Sequence, residues 1–422
     1  MAPACRRRYN PLVTVDHFVP RWQRNLYALA LVQFLTLLSF SGVIPFFPLF
    51  IQELGVTSPP EAAFWASVST FGSGFCAFLA GPLWGALADR YGRRPMVVRA
   101  TAAGVVLVAL SGLAPNVAVL ILTRAAYGVF TGVSAAASAL VASQVPRARL
   151  AFALGLLQVS FFLGSMAGPL VGGVLSDAYG HRLPFFVMAG VQLMALMVVL
   201  LYVREKFHPV AREGQTIHPV RDVRQVLGIP HVAPLLGILL AIGFGPFMLL
   251  PIMAVFMQDM VTEGAATAAG VALFLIGLTS SAASLAVGRL GQPSNLLRAV
   301  VIAAFVAALF YVPLIWIQSP VASILLFGVV GLCQGTLLTA INSLLSTAVS
   351  REHQGAVFGV VQSVSALSVG TASLIGGTMT VTLGLRSVFV ADAALFALLG
   401  LASWRMLRSE SLTKRAEERE ST

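Results

Sequence analysis

The sequence predicts an all-α membrane protein in which twelve transmembrane helices form two six-helix bundles, and three observations carry that expectation. Residues of hydrophobic type make up 58% of the chain, charged residues only 10%, and the mean hydropathy is +0.88, far from the roughly 25% charge of soluble domains. Apolar runs near the ~20 residues needed to cross a bilayer recur from end to end. The two halves also repeat one another. Helices follow because lipid offers no partner to a free backbone amide or carbonyl.

The runs fall at 27–50, 64–87, 96–114, 117–142, 150–175 and 184–203, then at 232–256, 266–287, 297–317, 321–349, 356–383 and 387–405. Between them the polarity collapses once for long, in the stretch opening Arg204-Glu-Lys-Phe-His-Pro209. The expected layout is therefore an N-tail (1–20), a six-helix bundle (21–203), a central loop (204–230), a second bundle (231–407) and a C-tail (408–422). The tails have the mixed polarity of disordered ends, as in Lys414–Glu420. The Arg6-Arg7-Arg8 segment precedes a run of full span length, so it reads as a cytoplasmic tail and not as a cleaved leader.

A net charge of +11 raises the question of nucleic acid, and the placement of the charge answers it. With the N-terminus inside, 24 of the 27 lysines and arginines lie on the cytoplasmic side. Arg182 and Arg386 lie in opposite loops and Arg124 lies within the fourth run. This is the positive-inside asymmetry of a multi-pass protein of the plasma (bacterial inner) membrane, with both termini cytoplasmic. Basic residues scattered over short loops, with no stacking platform, do not make a nucleic-acid surface. The 3 cysteines, Cys5, Cys76 and Cys333, form neither a disulfide framework nor a metal spacing. The expected partners are the bilayer, protons and a small hydrophobic or amphipathic substrate, with a monomeric chain and no cofactor or metal.

Internal repetition supports the two-bundle layout. Gly172-Gly173, Gly180, Arg182 and Phe185 recur as Gly376-Gly377, Gly384, Arg386 and Phe389 at an offset of 204, and Gly128 and Gly132 match Gly331 and Gly335 at an offset of 203. Duplicated six-helix halves about an axis normal to the membrane are one architecture of secondary transporters, with a site between the halves near mid-membrane.

Between the second and third runs stands Gly85-Ala-Leu-Ala-Asp89-Arg90-Tyr-Gly92-Arg93-Arg94. Gly85 would allow close helix approach and Gly92 a tight turn. Asp89, Arg93 and Arg94 can make charge-assisted bonds, and the acid could sit against a helix N-terminus. A worn copy surrounds Arg289 and Gly291, with Gly288 opposite Asp89. This run resembles the loop 2–3 motif of the major facilitator superfamily. The resemblance implies the major facilitator fold and a conformational latch in which Asp89 and Arg93 hold the halves together on the cytoplasmic side.

In the fifth run, Gly164-Ser-Met-Ala-Gly168-Pro169-Leu-Val-Gly172-Gly173 is similar to the antiporter motif of that superfamily's drug:proton exporters. Pro169 removes a backbone hydrogen bond and the glycines permit flush packing, so the motif implies a tight outer seal. Arg124-Ala-Ala-Tyr127-Gly128 with Gly132 resembles the span-four motif, whose arginine is tied to proton transfer. Arg124 also heads an expected polar stripe with Tyr127, Thr131, Ser134 and Ser138.

Acids suited to coupling are few. Asp392 lies within the twelfth run, while Glu53 and Asp177 sit at helix ends. The proton-coupling candidates are Arg124, Asp392 and Asp89, with His181 as a loop residue able to titrate. By resemblance the first, fourth, seventh and tenth helices line the passage, which selects Gln33, Tyr127, Phe244, Phe247, Met248, Gln334 and Asn342. Aromatic and methionine side chains offer an adaptable apolar wall. The resulting expectation is proton-coupled efflux of hydrophobic compounds by alternating access. Transport of a specific metabolite or lipid-like compound is the alternative, and a membrane sensor the lesser one. No nucleotide loop or nucleophile constellation suggests an enzyme.

Overall fold

The computed structural model describes residues 21–146, 149–205, 232–287, 293–348 and 354–420, and no strand occurs among them. The first half holds α1 (Arg21–Gly42), α2 (Phe47–Glu53), α3 (Pro59–Tyr91), α4 (Arg93–Gly112), α5 (Val117–Phe130), α6 (Val133–Gln144), α7 (Leu150–Tyr179) and α8 (Leu183–Tyr202). The second holds α9 (Val232–Leu249), α10 (Met253–Gln258), α11 (Ala265–Val287), α12 (Pro293–Tyr311), α13 (Pro320–Ala348), α14 (Gln354–Leu383) and α15 (Ser387–Glu420). Among the described residues, 10 helical runs are long and apolar enough to cross a membrane. A shorter apolar helix, Pro234–Leu249, and the 30-residue α14 fill the seventh and eleventh places. The chain is thus an integral, multi-pass, all-helical protein. Its last helix runs on to Glu420 without a break at the end of the apolar run.

Spans one and seven are each built in two pieces, and the reason is local. After α1 the chain tightens into a single turn at Ile44–Phe46, where Pro45 withholds a backbone donor, before α2 begins. After α9, Leu250-Pro251 makes the corresponding bend before α10. These pieces meet across the halves: the amides of Gln52 and Gln258 donate to each other's oxygens at 2.9 and 3.2 Å. A reciprocal pair between equivalent helices is the mark of a pseudo-twofold axis between them.

Span four differs from the continuous helix expected over 117–142. It breaks at Thr131-Gly132, where Gly132 takes φ +123°, a value that side-chain-bearing residues rarely adopt. The carbonyls freed there are answered from the neighbouring helices. Trp84 Nε1 donates to Val129 O at 2.6 Å, and Arg99 donates to the carbonyls of Phe130 and Thr131 at 3.2 and 3.0 Å. The Arg99 guanidinium also lies 3.4 Å from the Trp84 ring centroid. Span ten, its counterpart, runs unbroken as α13.

Arg182 and Arg386 confirm the repeat at 204. Each opens a helix and donates to a carbonyl about 70 residues upstream, Gly112 O and Ile315 O, both at 3.1 Å. In span four the structure shifts the expected register by one helical turn. Ser73 Oγ bonds Arg124 O and Ser280 Oγ bonds Gly331 O. A Cβ on Gly128 would meet the Ser73 backbone as one on Gly335 would meet that of Ser280. Arg124 thus pairs with Gly331 and Gly128 with Gly335, and the glycine spacing alone mimicked a different alignment.

Candidate functional site

The two ends of the molecule are marked by the turn at Gly92 and by Glu53, and are called here the hairpin end and the Glu53 end. At the hairpin end Gly92 has φ +97° and joins α3 directly to α4, as the tight turn requires. The free amides that open α4 are taken by Glu205: Arg93 N and Arg94 N donate to its two carboxylate oxygens at 3.1 and 2.7 Å. Arg94 Nε reaches Val203 O at 2.7 Å. Asn25 braces this corner from α1, donating to Arg204 O at 2.6 Å and accepting from Arg204 N at 3.1 Å.

All of these bonds lie within the first half. Arg90 is exposed and sits over its neighbour Tyr91. A Cβ on Gly85 would touch nothing, so the close approach expected there is absent from this conformation. The Asp89 side chain and the copy around Arg289 lie outside the described residues. Glu205 was missed from sequence because its partner amides come from 111 and 112 residues away.

The Glu53 end is where the halves close. α7 and α11 run in contact, with a Cβ on Gly173 meeting the Ala266 backbone and one on Gly270 meeting that of Pro169. Asp177 Oδ2 accepts from Thr267 N at 2.6 Å, placing a carboxylate on the first turn of α11. On the related side, α14 reaches α3 through Gly377 at Ser67 and Gly370 at Phe71. The remaining glycines of the α7 motif, Gly164, Gly168 and Gly172, face α1 within the first half. Pro169 is accommodated inside an unbroken α7. The motif therefore packs one helix against two partners, with one of them in the opposite half. His181 belongs to the same end, bonded to Ser176 and 3.8 Å from Glu53.

Two ionisable side chains stand in largely apolar surroundings, one per half, Arg124 half-buried and Asp392 buried. Arg124, on α5, has three ring centroids within 5.3–5.6 Å of its guanidinium carbon: those of Phe47, Phe40 and Tyr127. Such contacts stabilise a cation by about 0.5–2 kcal/mol each, against an insertion cost of roughly 2.5–3.5 kcal/mol at mid-helix. Among the described residues no carboxylate or carbonyl accepts from it. It lines a cavity of about 30 Å³ with Phe47, Thr70, Leu250 and Pro251, so both halves contribute to the wall.

Asp392, on α15, is 0% exposed, and neither of its oxygens has a hydrogen-bond partner. α9 comes close at Gly245, whose added Cβ would lie 3.5 Å from Asp392 Oδ1. From α12 comes Tyr311, equally buried, stacked on Phe396 with centroids 5.5 Å apart. The Tyr311 hydroxyl, like the Asp392 carboxylate, has no hydrogen-bond partner. A buried acid thus stands one turn of α15 from Phe396, the ring on which a buried phenol stacks.

The expected cavity residues divide. Tyr127 joins the Arg124 cluster, and Gln334, on α13, is partly buried. Gln33 is buried and donates to Ser134 Oγ at 2.8 Å, inside the first bundle. Met248 is buried against Gly376 of α14. Phe244, Phe247 and Asn342 are partly buried. Among the described residues no group of three or more metal-ligating side chains occurs.

Two duplicated helical bundles that enclose isolated charges and close against each other at one end define a transporter of the secondary class. The family model of the Major Facilitator Superfamily matches residues 29–369 and 263–422, and the chain belongs to that superfamily. It is 32% identical over 402 residues to a multidrug resistance protein MdtG of Dickeya zeae, covering 94% of this chain and 98% of that protein. It is 31% identical over 390 residues to one of Escherichia coli O1:K1, covering 92% and 95%.

Among solved structures it resembles a bacterial homolog of the human lysosomal transporter Spinster, in an inward-facing and occupied conformation. The TM-score is 0.74 at 15% identity, over 92% of this chain and 97% of that one. The nucleoside transporter NupG follows the same fold with a TM-score of 0.69 at 11% identity, over 90% and 99%.

Proposed function

We propose that this transporter is a proton-coupled exporter of hydrophobic or amphipathic small molecules, working by alternating access, with the hairpin end in the cytoplasm. The observation that carries the reading is the use of the α7 glycine-proline face as the seal between halves, where Gly173 and Pro169 meet Ala266 and Gly270 backbone to backbone. A seal that tight limits leak of protons and substrate. The multidrug relatives support the substrate class, and the basic loops support the orientation.

With the Glu53 end closed, the cavity of this state faces the cytoplasm. In the opposite state the Asp89 motif would clasp the halves at the hairpin end. Asp392 is the proton carrier in this scheme. A buried carboxylate without a partner is costly as an ion, so the group exchanges its proton when rearrangement of α9 and α12 lets water or a cation reach it.

Proteoliposomes with an imposed pH gradient test the reading. Movement of a fluorescent apolar substrate against its gradient, driven by proton entry at the Glu53 end, is expected. Flux indifferent to the gradient would sink antiport, and saturable flux of one metabolite alone would sink the multidrug reading.

A further inference from the structure

Arg124 is the side chain whose surroundings are least explained by structure alone. A guanidinium keeps its proton under all ordinary conditions, so it is ill suited to carry protons, and what its fixed positive charge calls for is an anion. The protein supplies none: among the described residues no carboxylate pairs with it and no carbonyl accepts from it, and three aromatic rings surround it at 5.3–5.6 Å. The cavity beside it, about 30 Å³ between α2, α3 and α5 of one half and Leu250-Pro251 of the other, has room for a headgroup and not for a drug-sized body. One cation in an apolar, aromatic wall matches one negative charge on an otherwise greasy molecule.

We propose that Arg124 is the anion-recognition residue of the transport cavity, and that the favoured substrates are amphipathic organic monoanions, an apolar body bearing one carboxylate. The carboxylate pairs with the guanidinium, and the body lies along Phe40, Phe47 and Tyr127. Because Leu250 and Pro251 belong to the second half, a headgroup seated there touches both bundles. This rests on reading the protein as an exporter and assigns the chemistry of its site.

Equilibrium binding to the full-length protein in nanodiscs, with no gradient, tests it using 1-pyrenebutyrate, the corresponding primary amide and a trimethylammonium analogue. The carboxylate should bind about tenfold or more tighter than the amide or the cation, the scale of charge-assisted bonds in a partly dry site. Within the Arg124→Gln variant the carboxylate should bind no tighter than the amide, and Arg124→Lys should keep part of the preference.

Equal binding of all three probes, preference for the cation, or a preference that survives Arg124→Gln overturns the proposal. Should the variant not fold, protection of Arg124 from phenylglyoxal in the wild-type protein, read by peptide mass spectrometry, decides the matter. The carboxylate must protect and the amide must not. Binding with this preference but no proton-driven flux keeps the site and removes coupled export. Export of the amide without the binding preference does the reverse.

Discussion

In the proposed scheme Asp392 and Arg124 divide the work between a proton-exchanging acid in one bundle and a fixed cation in the other, and among the described residues neither has an oppositely charged partner. Asp392→Asn should lower pH-gradient-driven flux by at least about tenfold while substrate exchange without a gradient persists, since an amide keeps the shape and cannot exchange the proton. Undiminished gradient-driven flux in that variant would remove Asp392 from the mechanism. Both residues were legible in the sequence because a charge inside an apolar run is conspicuous and costly. Glu205 was not, because its role exists only once α4 is folded beside the end of α8 and presents two free amides. The pairing of Arg99 with the broken carbonyls of span four was hidden for the same reason.

At the level of elements, the contact of α7 with α11 sets which end of the molecule is closed. Gly173 has no room for a side chain against Ala266, so Gly173→Leu should hold the Glu53 end open. A pair of cysteines in place of Gln52 and Gln258, in a chain with Cys5, Cys76 and Cys333 replaced, reads this through the yield of a short thiol cross-link. The expected yield falls several-fold, on the order of the 1–3 kcal/mol that overpacking costs, and an unchanged yield would place the seal elsewhere.

Asp177→Asn acts on the same contact more gently. An acid on a helix N-terminus contributes about 0.3–1 kcal/mol, so the same cross-link should drop by roughly two- to fivefold. An undiminished yield would show that Asp177 does not hold the seal.

The sequence displayed the glycine-proline motif but could not assign its faces, because Gly172 and Gly173 look alike until their partners, α1 and α11, are in place. In span four the glycine spacing suggested the wrong register and a continuous helix, because one of its glycines serves packing and the other serves the break. Gly128 packs on Ser73, whereas Gly132 adopts φ +123°.

Over the whole molecule the duplicated pattern was the most legible feature, since hydropathy sets the crossings and the 204-residue repeat is visible in identical residues such as Arg182 and Arg386. Which end is shut was not legible, because two conformations share every crossing and differ only in contacts between halves. The reciprocal Gln52–Gln258 pair and the Asp177–Thr267 bond close the Glu53 end in this one. In the proposed antiport, movement of substrate one way and of protons the other are one process. Proteoliposomes loaded with substrate, given no initial pH gradient and carrying a trapped pH dye, measure it directly. Substrate leaving down its own gradient should drive protons in and acidify the lumen, and Asp392→Asn should abolish the signal. Substrate efflux at the normal rate with no change in lumenal pH would contradict it.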